Sequence, residues 1–258
     1  MKHLAGIGGI FFQAEDPEKL NEWYKTNLGI DGTFHWKDVT SLSSHYTVWN
    51  TFLKSSEIFK GTEKDYVINY EVSDLDILLQ ELKSNGVSTT GNIDEGKDGR
   101  FASVLDPDGN KIILWEASGK TIHESPANPD RVTGLGGVFF KSENPATLNE
   151  WYSKHLGFQI TEWGCSFEWI DPHNPAAKAP AQTAWSIFKA ESNYFSPSEK
   201  QFMFNYRVKN LAALLKALEA QGVEMAGAMQ EFSYGRFGWI VDPEQNKIEL
   251  WEPIDDGF

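Results

Sequence analysis

Few side chains of this 258-residue sequence have a spacing that is typical of catalysis. Tyr234 and Glu249 could serve as a general acid or base, because each carries a titratable group. Cys165 is the only cysteine and has no histidine partner in its sequence context, and no G-x-S-x-G nucleophile motif occurs. The sequence therefore gives little support to nucleophilic catalysis.

Two arginines are candidates for binding an anion. Arg100 and Arg236 each stand in a Gly-Arg-Phe triplet, in a strand where a cation is otherwise out of place. They could hold an anionic ligand through bidentate hydrogen bonds. They could equally pair with Glu116 and Glu252 and tie the sheet together, which is the preferred interpretation.

A glycine-rich stretch, GIGGIFF at 6–12, superficially resembles a phosphate-binding loop, and GLGGVFF repeats it at 134–140. The third glycine of the G-x-G-x-x-G fingerprint is missing, because the positions three residues after Gly8 and Gly9 are Phe11 and Phe12. The stretch also leads into a strand, whereas a dinucleotide-binding loop follows its strand. We predict that these glycines permit a close chain approach or a bulge at the start of a strand.

The sequence contains an internal repeat that covers most of its length. NEWYKTNLGI (21–30) returns as NEWYSKHLGF 128 positions later, and GRFASVLDPDGNKIILWE (99–116) returns as GRFGWIVDPEQNKIELWE 136 positions later. The second copy therefore carries eight extra residues, and loop-forming composition suggests two carriers, the segments 171–182 and 191–200. We predict two domains, 1–117 and 132–258, joined by a polar linker at 118–131.

Each copy predicts the same order of elements. A strand leads to a helix that Asp16 caps, with Pro17 at its first position and Gly29 at its end. Further strands lead to a second helix, capped by Ser73 and closed by Gly86, and two final strands follow. The whole chain thus contains four units of the type β-α-β-β-(β).

Composition excludes some partners. The formal charge of −14 and the pI near 4.8 argue against nucleic acid and against an anionic membrane surface. No apolar run approaches the roughly 18 residues of a membrane span, and no signal-peptide core precedes the pattern. We expect a cytoplasmic protein that is a monomer with an internal pseudo-dimer.

The order of elements, together with DPEKLNEWYKTNLG, DLDILLQELKSNGV and DPDGNKIILWE, resembles the vicinal oxygen chelate superfamily of glyoxalases, bleomycin-resistance proteins and extradiol dioxygenases. The resemblance implies an α+β fold of paired βαβββ modules, four in all, with curved mixed sheets that form open cups in a covalent pseudo-dimer. It also implies that metal-dependent relatives hold a divalent ion in the cup with His, Gln or Glu from four strands.

The resemblance places the four ligand positions of each half on mostly non-coordinating residues: Gly9, Trp49, Val67 and Ile113 in the first half, and Gly137, Trp185, Met203 and Glu249 in the second. The second position in each half could be displaced by one or two residues. One oxygen ligand is too few for a divalent site, which needs about three protein ligands. We therefore expect no metal cofactor.

Alternation along the strands predicts cups with aromatic walls. We expect these to bind a small apolar or aromatic molecule. Besides Arg100 and Arg236, the candidate binding residues are Phe11, Trp49, Asn69 and Trp115, with their counterparts Phe139, Trp185, Asn205 and Trp251. For Trp49 and Trp185, packing in the core is the alternative. The rival hypothesis is a lyase, isomerase or dioxygenase that uses Glu249, either with a metal held beside His45 or through metal-free acid–base chemistry.

Overall fold

The computed structural model describes residues 4–118, 131–172, 174 and 177–254. The first half contains, in chain order, β1 (Leu4–Gln13), α1 (Pro17–Leu28), β2 (Thr33–Lys37), β3 (Ser44–Phe52), a 3₁₀ turn (Glu57–Phe59), β4 (Tyr66–Val72), α2 (Leu75–Ser84), β5 (Asp94–Gly96), β6 (Gly99–Leu105) and β7 (Lys111–Ala117).

The second half repeats this order with one more short strand. It contains β8 (Val132–Ser142), α3 (Pro145–Leu156), β9 (Cys165–Trp169), β10 (Ala181–Lys189), a 3₁₀ turn (Asn193–Phe195), β11 (Phe202–Val208), α4 (Leu211–Ala220), β12 (Glu224–Met225), β13 (Gln230–Phe232), β14 (Gly235–Val241) and β15 (Lys247–Pro253).

Each half builds its own open mixed sheet. The order in the first is β2-β3-β1-β4-β7-β6-β5, and in the second β12-β14-β15-β11-β8-β10-β9, with β13 paired to β14. Within each sheet the two modules meet along an antiparallel pair, β1 with β4 and β8 with β11. The two modules of one half therefore form one cup, which the sequence could not decide. The predicted α+β fold of four modules is confirmed.

Helix boundaries follow the capping signals closely. Asp16 caps α1 by accepting a hydrogen bond from the backbone N–H of Lys19, and Gly29 ends it in the left-handed conformation. In α2 the cap is Asp74, not the predicted Ser73, because the Asp74 carboxylate accepts from the N–H of Ile77. The capping position of α2 at its end is Asn85, one residue before the predicted Gly86.

The two halves share one hydrophobic core, with buried side chains from both in a single cluster. Polar side chains cross this core in symmetric pairs. The hydroxyl of Tyr24 donates to Asp242 Oδ2 at 2.9 Å, and that of Tyr152 donates to Asp106 Oδ2 at 3.0 Å. The tyrosine of each Glu-Trp-Tyr motif thus meets the aspartate of the Asp-Pro turn in the other half. The repeated motifs therefore hold the pseudo-dimer together.

The glycine-rich stretches lie where strands are approached closely. A Cβ placed on Gly136 would lie 2.1 Å from Asn205 Oδ1, which is far too close, and one placed on Gly6 would lie 2.7 Å from the Trp36 ring. The register between β1 and β4 also shifts between Ile7 and Gly9, as at a bulge. The prediction of a structural role for these glycines is confirmed.

The extra residues of the second half lie on both sides of β9. Segments 157–164 and 170–180 are longer than their counterparts 29–32 and 38–43. Segment 190–201 is no longer than its counterpart before β4, so the prediction that 191–200 carries part of the insertion is wrong.

The structure tests two further expectations, on the linker and on membrane spans, only in part. Residues 119–130, which make up most of the predicted linker, lie outside the described residues. Among the four helices that the structure describes, none combines the length and the apolar character needed to cross a membrane.

Candidate functional site

The concave face of the second sheet, here called the second cup, contains a cavity of about 680 Å³. This volume falls within the range of roughly 300–1,000 Å³ that is typical of small-molecule sites. Its walls are mainly apolar and aromatic, and the lining includes Phe139, Ile187, Phe188, Phe237 and Trp251. The inserted segment before β9 contributes Glu162, Trp163 and Gly164 to the rim.

A buried carboxylate, Glu249, lies in the lining of this cavity and is only 2% exposed. Its Oε2 accepts a hydrogen bond from the Tyr194 hydroxyl and another from Trp239 Nε1 at 2.7 Å. Its Oε1 accepts from Asn205 Nδ2 at 2.6 Å. We call these four residues the Glu249 centre.

Strand register brings the Glu249 centre together. Glu249 on β15 is the pairing partner of Trp239 on β14 and of Asn205 on β11, so all three side chains point to one face of the sheet. Tyr194 reaches the same point from the 3₁₀ turn after β10. The backbone carbonyl of Tyr194 accepts from Lys247 Nζ at 2.7 Å, which ties this turn to β15.

The electrostatics of the Glu249 centre reflect burial. Removal from water raises the pKa of Glu249, and the hydrogen bonds from Tyr194, Asn205 and Trp239 oppose this shift by stabilising the carboxylate. Burial likewise lowers the pKa of Lys247, whose Nζ lies 5.3 Å from the Tyr194 ring centre and 5.4 Å from that of Trp239. The Glu249 centre therefore places a titratable carboxyl group in the lining of a mainly apolar cavity.

The concave face of the first sheet, the first cup, is packed differently. Phe11, Phe59 and Val67 form a buried apolar cluster there, against which Phe52 and Ile113 pack among others. The first half has Ile58 where the second has Tyr194, Ser103 where it has Trp239, and Ile113 where it has Glu249. The first cup therefore has no counterpart of the Glu249 centre except Asn69.

Several predicted residues lie on the expected faces. Phe139, Asn205 and Trp251 line the second-cup cavity. In the first cup, Phe11 belongs to the apolar cluster, while Trp115 stacks on Phe101 and donates from its Nε1 to the carbonyl of Asp98 at 2.9 Å. Asn69 is buried at the position that matches Asn205.

The predicted placement of Trp49 and Trp185 in the cups is wrong. Both face the shared core, with 2% and 0% exposure. Each is the pairing partner of a core-facing residue, Ile10 for Trp49 and Val138 for Trp185. A displacement of one residue along a strand turns every side chain to the opposite face. In the second half the cup-facing neighbours of Trp185 are Ala184 and Ser186, and both line the cavity.

The two arginines are engaged in ion pairs outside the cavity lining. Arg100 Nη1 lies 3.1 Å from Glu116 Oε2, and Arg236 Nη1 lies 3.3 Å from Glu252 Oε1. Arg100 also pairs with Asp76 at 2.7 Å. The structure thus has the ion pairs that the sequence favoured for these side chains.

The predicted partnership of His45 with Glu249 is wrong, because the two side chains lie in different halves. His45 Nδ1 lies 2.8 Å from Glu71 Oε1, and its ring stacks on Trp36. The pKa of His45 is raised, first by its hydrogen bond to Glu71. His45 therefore belongs to a polar pair in the first half.

A divalent metal does not fit the residues present. At the cup-facing ligand positions of the second half, Gly137 and Met203 offer no oxygen or nitrogen side-chain ligand. Both oxygens of Glu249 already accept N–H or O–H donors. Across the described ranges, no three His, Cys, Asp or Glu side chains lie close enough to hold an ion together.

Sequence reasoning missed Tyr194 and Trp239. The signal was present, since both appear when the halves are compared at the 136-residue offset that also reveals Glu249. Tyr194 and Trp239 both donate hydrogen bonds to Glu249, which accounts for their joint occurrence in the second half.

Comparison with known proteins agrees with this architecture. Residues 3–114 match the model of the Glyoxalase/Bleomycin resistance protein/Dioxygenase superfamily. No curated protein shows significant similarity to this chain.

Solved structures share the fold over nearly the whole chain. The Mn(II)-bound glyoxalase from Novosphingobium aromaticivorans has a TM-score of 0.64 at 11% identity, with 97% of this chain and 82% of that chain covered. Homoprotocatechuate 2,3-dioxygenase from Arthrobacter globiformis has a TM-score of 0.61 at 14% identity, with coverages of 96% and 80%. A catechol 2,3-dioxygenase has a TM-score of 0.56 at 14% identity, with coverages of 97% and 89%.

These findings confirm the resemblance seen in the sequence. The family model is matched by residues 3–114, in the first half of the chain, and the fold shared with the solved glyoxalase and dioxygenase structures is built twice, once in each half.

Proposed function

We propose that this protein binds one small apolar or aromatic molecule per chain, in the cavity of the second cup, without a divalent metal. The observation that supports this most directly is the cavity itself, with about 680 Å³ of space between aromatic walls. Such walls stabilise a flat apolar ligand by removing its surface from water and by ring–ring contacts.

The expectation of one ligand per chain follows from the unequal cups. Phe11, Phe59 and Val67 are 7%, 4% and 0% exposed, so apolar side chains of the protein already pack in the first cup. At one position beside β1 and β8, the first half has Val48 where the second has the smaller Ala184. The smaller side chain leaves room in the second cup.

The test uses N-phenyl-1-naphthylamine, an apolar aromatic dye whose emission rises in apolar surroundings. We expect saturable binding at a stoichiometry of one. Ala184→Phe, which fills the second cup, should weaken binding at least about tenfold. Val48→Phe is the matched variant in the first cup and should leave the affinity within about twofold.

Two results would overturn the proposal. One is the absence of saturable binding to the folded wild-type protein. The other is equal loss of affinity in Ala184→Phe and Val48→Phe, because the second cup would then have no special role. Near-ultraviolet circular dichroism of each variant shows whether its tertiary packing is retained.

A second candidate function is acid–base catalysis by Glu249, favoured by the burial of its carboxylate in the cavity lining beside the Tyr194 hydroxyl. Metal analysis separates the metal-dependent form of this alternative from the binding function. We expect far less than one equivalent of divalent ion in the purified protein. A full equivalent that Glu249→Ala removes would contradict the metal-free proposal.

A further inference from the structure

The Glu249 centre differs from the first half at three positions that contact one another. Tyr194, Trp239 and Glu249 replace Ile58, Ser103 and Ile113, while the asparagine of the centre occurs in both halves. The fold accommodates Ile58, Ser103 and Ile113 in its first half, so it does not require a tyrosine, a tryptophan and a carboxylate at these positions. Burying a carboxylate costs several kcal/mol unless its hydrogen bonds compensate. A role beyond packing accounts for this cost.

The hydrogen bonds of the Glu249 centre show which acceptor sites of the carboxylate are already used. An ionised carboxylate has about four acceptor sites, two on each oxygen. The Tyr194 hydroxyl and Trp239 Nε1 donate to Oε2, and Asn205 Nδ2 donates to Oε1. Three of the four sites are therefore used, and the remaining one is on Oε1.

We propose that this remaining acceptor site on Glu249 binds a hydrogen-bond donor of the ligand, so that the second cup selects apolar or aromatic molecules that carry a hydroxyl or ammonium group. The inference rests on the proposed function, because it names the class of ligand that the same cavity takes. Glu249, which stands at a position where metal-dependent relatives hold their ion, would contact the ligand directly.

The charge of the centre supports this selection. A carboxylate attracts O–H and N–H groups and repels carbonyl and carboxylate oxygens, and both effects are stronger in an apolar hollow than in water. The Tyr194 hydroxyl donates its proton to Glu249, so its oxygen can only accept a further hydrogen bond. Two neighbouring groups of the lining, Glu249 and Tyr194, thus both present acceptors to a ligand.

The experiment compares ligands of similar shape by titration calorimetry on the full chain. The probes are 2-naphthol and 2-naphthylmethylamine, which carry donors, 2-methoxynaphthalene, which lacks one, and 2-naphthoate, which is anionic. We expect the wild-type protein to bind either donor probe at least about tenfold tighter than 2-methoxynaphthalene, since a hydrogen bond to a charged group is among the stronger ones. Binding of 2-naphthoate should be the weakest.

Variants then test whether Glu249 causes the preference. Glu249→Gln should reduce the affinity ratio of 2-naphthol to 2-methoxynaphthalene to below about threefold. Glu252→Gln, on the same strand but bonded to Leu211 and Arg236, should keep the ratio of the wild type. If Glu249→Gln fails to fold, the triple variant Y194I/W239S/E249I installs the set of the first half and should also abolish the preference.

The outcomes separate the two proposals. If all neutral probes bind with equal affinity and Glu249→Gln leaves the ratio unchanged, the donor selection is wrong while the proposed binding function stands. If no probe binds to the wild-type protein, both are wrong. A ratio that falls in Glu252→Gln as much as in Glu249→Gln would also overturn the inference.

Discussion

The indole Nε1 of Trp185 lies 2.8 Å from the hydroxyl oxygen of Tyr70, across the boundary between the two halves. The pseudo-symmetric contact joins Trp49 Nε1 to the Tyr206 hydroxyl at 2.7 Å. All four side chains are at most 2% exposed. These pairs hold the halves together within the shared core. Trp49 and Trp185 are therefore interface residues, whereas Trp251 lines the cavity of the second cup.

Replacing Trp185 with Phe should lower the free energy of unfolding without changing ligand affinity. The substitution leaves the buried Tyr70 hydroxyl without its indole partner and removes packed volume, which together should cost about 2–4 kcal/mol. Urea unfolding measures the loss, and dye titration measures the affinity. Trp163→Phe is the control, since that side chain is 81% exposed and should change stability by less than about 0.5 kcal/mol. Weaker binding in folded Trp185→Phe would contradict the interface assignment.

Replacing Gly136 with Ala should disturb the Glu249 centre. The new Cβ would lie 2.1 Å from Asn205 Oδ1, so Asn205 must move, and its hydrogen bond to Glu249 must lengthen or break. We expect a loss of about 1–3 kcal/mol in stability and a weaker preference for donor ligands. Gly91→Ala is the control, because nothing lies within 4 Å of a Cβ placed there. Equal stability of the two variants would show that the close approach is unimportant.

The stability of the protein should depend on pH through Glu249. Burial raises the pKa of the folded-state carboxyl above its ordinary value, which is about 4.3 in unfolded chains. The contribution of Glu249 to stability is therefore complete below the ordinary value and is lost as pH rises through the raised folded-state value. The difference in unfolding free energy between wild type and Glu249→Gln should become less favourable to wild type over that range.

Urea unfolding at a series of pH values measures this difference, and contributions of other titrating groups cancel in it. Trp163→Phe, which changes no titratable group, should give a difference that does not vary with pH. A difference for Glu249→Gln that stays constant with pH, or grows in favour of wild type, would contradict the raised pKa.

Replacing Arg236 with Gln should leave ligand binding unchanged within about twofold. The guanidinium pairs with Glu231 and Glu252 and lies outside the cavity lining. Partly exposed ion pairs of this kind contribute about 0–1 kcal/mol, so the loss of stability should be small. Calorimetric titration with 2-naphthoate is the sharpest check, because a fall in the affinity of this anion in Arg236→Gln would restore the anion-binding hypothesis.

Local signals predicted much of the fold. The Asp16 cap, Pro17 and the left-handed Gly29 define α1 as expected, because capping depends on neighbouring residues alone. The repeated motifs predicted four modules, because the same order of strands and helices can be read from both copies. The hydrogen bond between Tyr24 and Asp242 could not be predicted, since residues 218 positions apart meet only through the packing of the two halves.

The candidate site was predicted less well. Phe139, Asn205 and Trp251 line the cavity as strand alternation indicated, and Glu249 lines it at the position that the family resemblance implied. Trp185 was placed on the wrong face because counting from distant landmarks was displaced by one residue, and such an error inverts a strand. Tyr194 lies in a 3₁₀ turn, where no alternation rule applies, so only the comparison of the repeats could have revealed it.

Covalent fusion frees the two cups from having to be identical. In a dimer of identical single-repeat subunits, every substitution occurs twice, so a buried acid in one hollow appears in the other as well. Here Ile113 occupies one of the matching positions and Glu249 the other, within a common scaffold. One copy can therefore serve chiefly as structural support while its twin specialises in recognition.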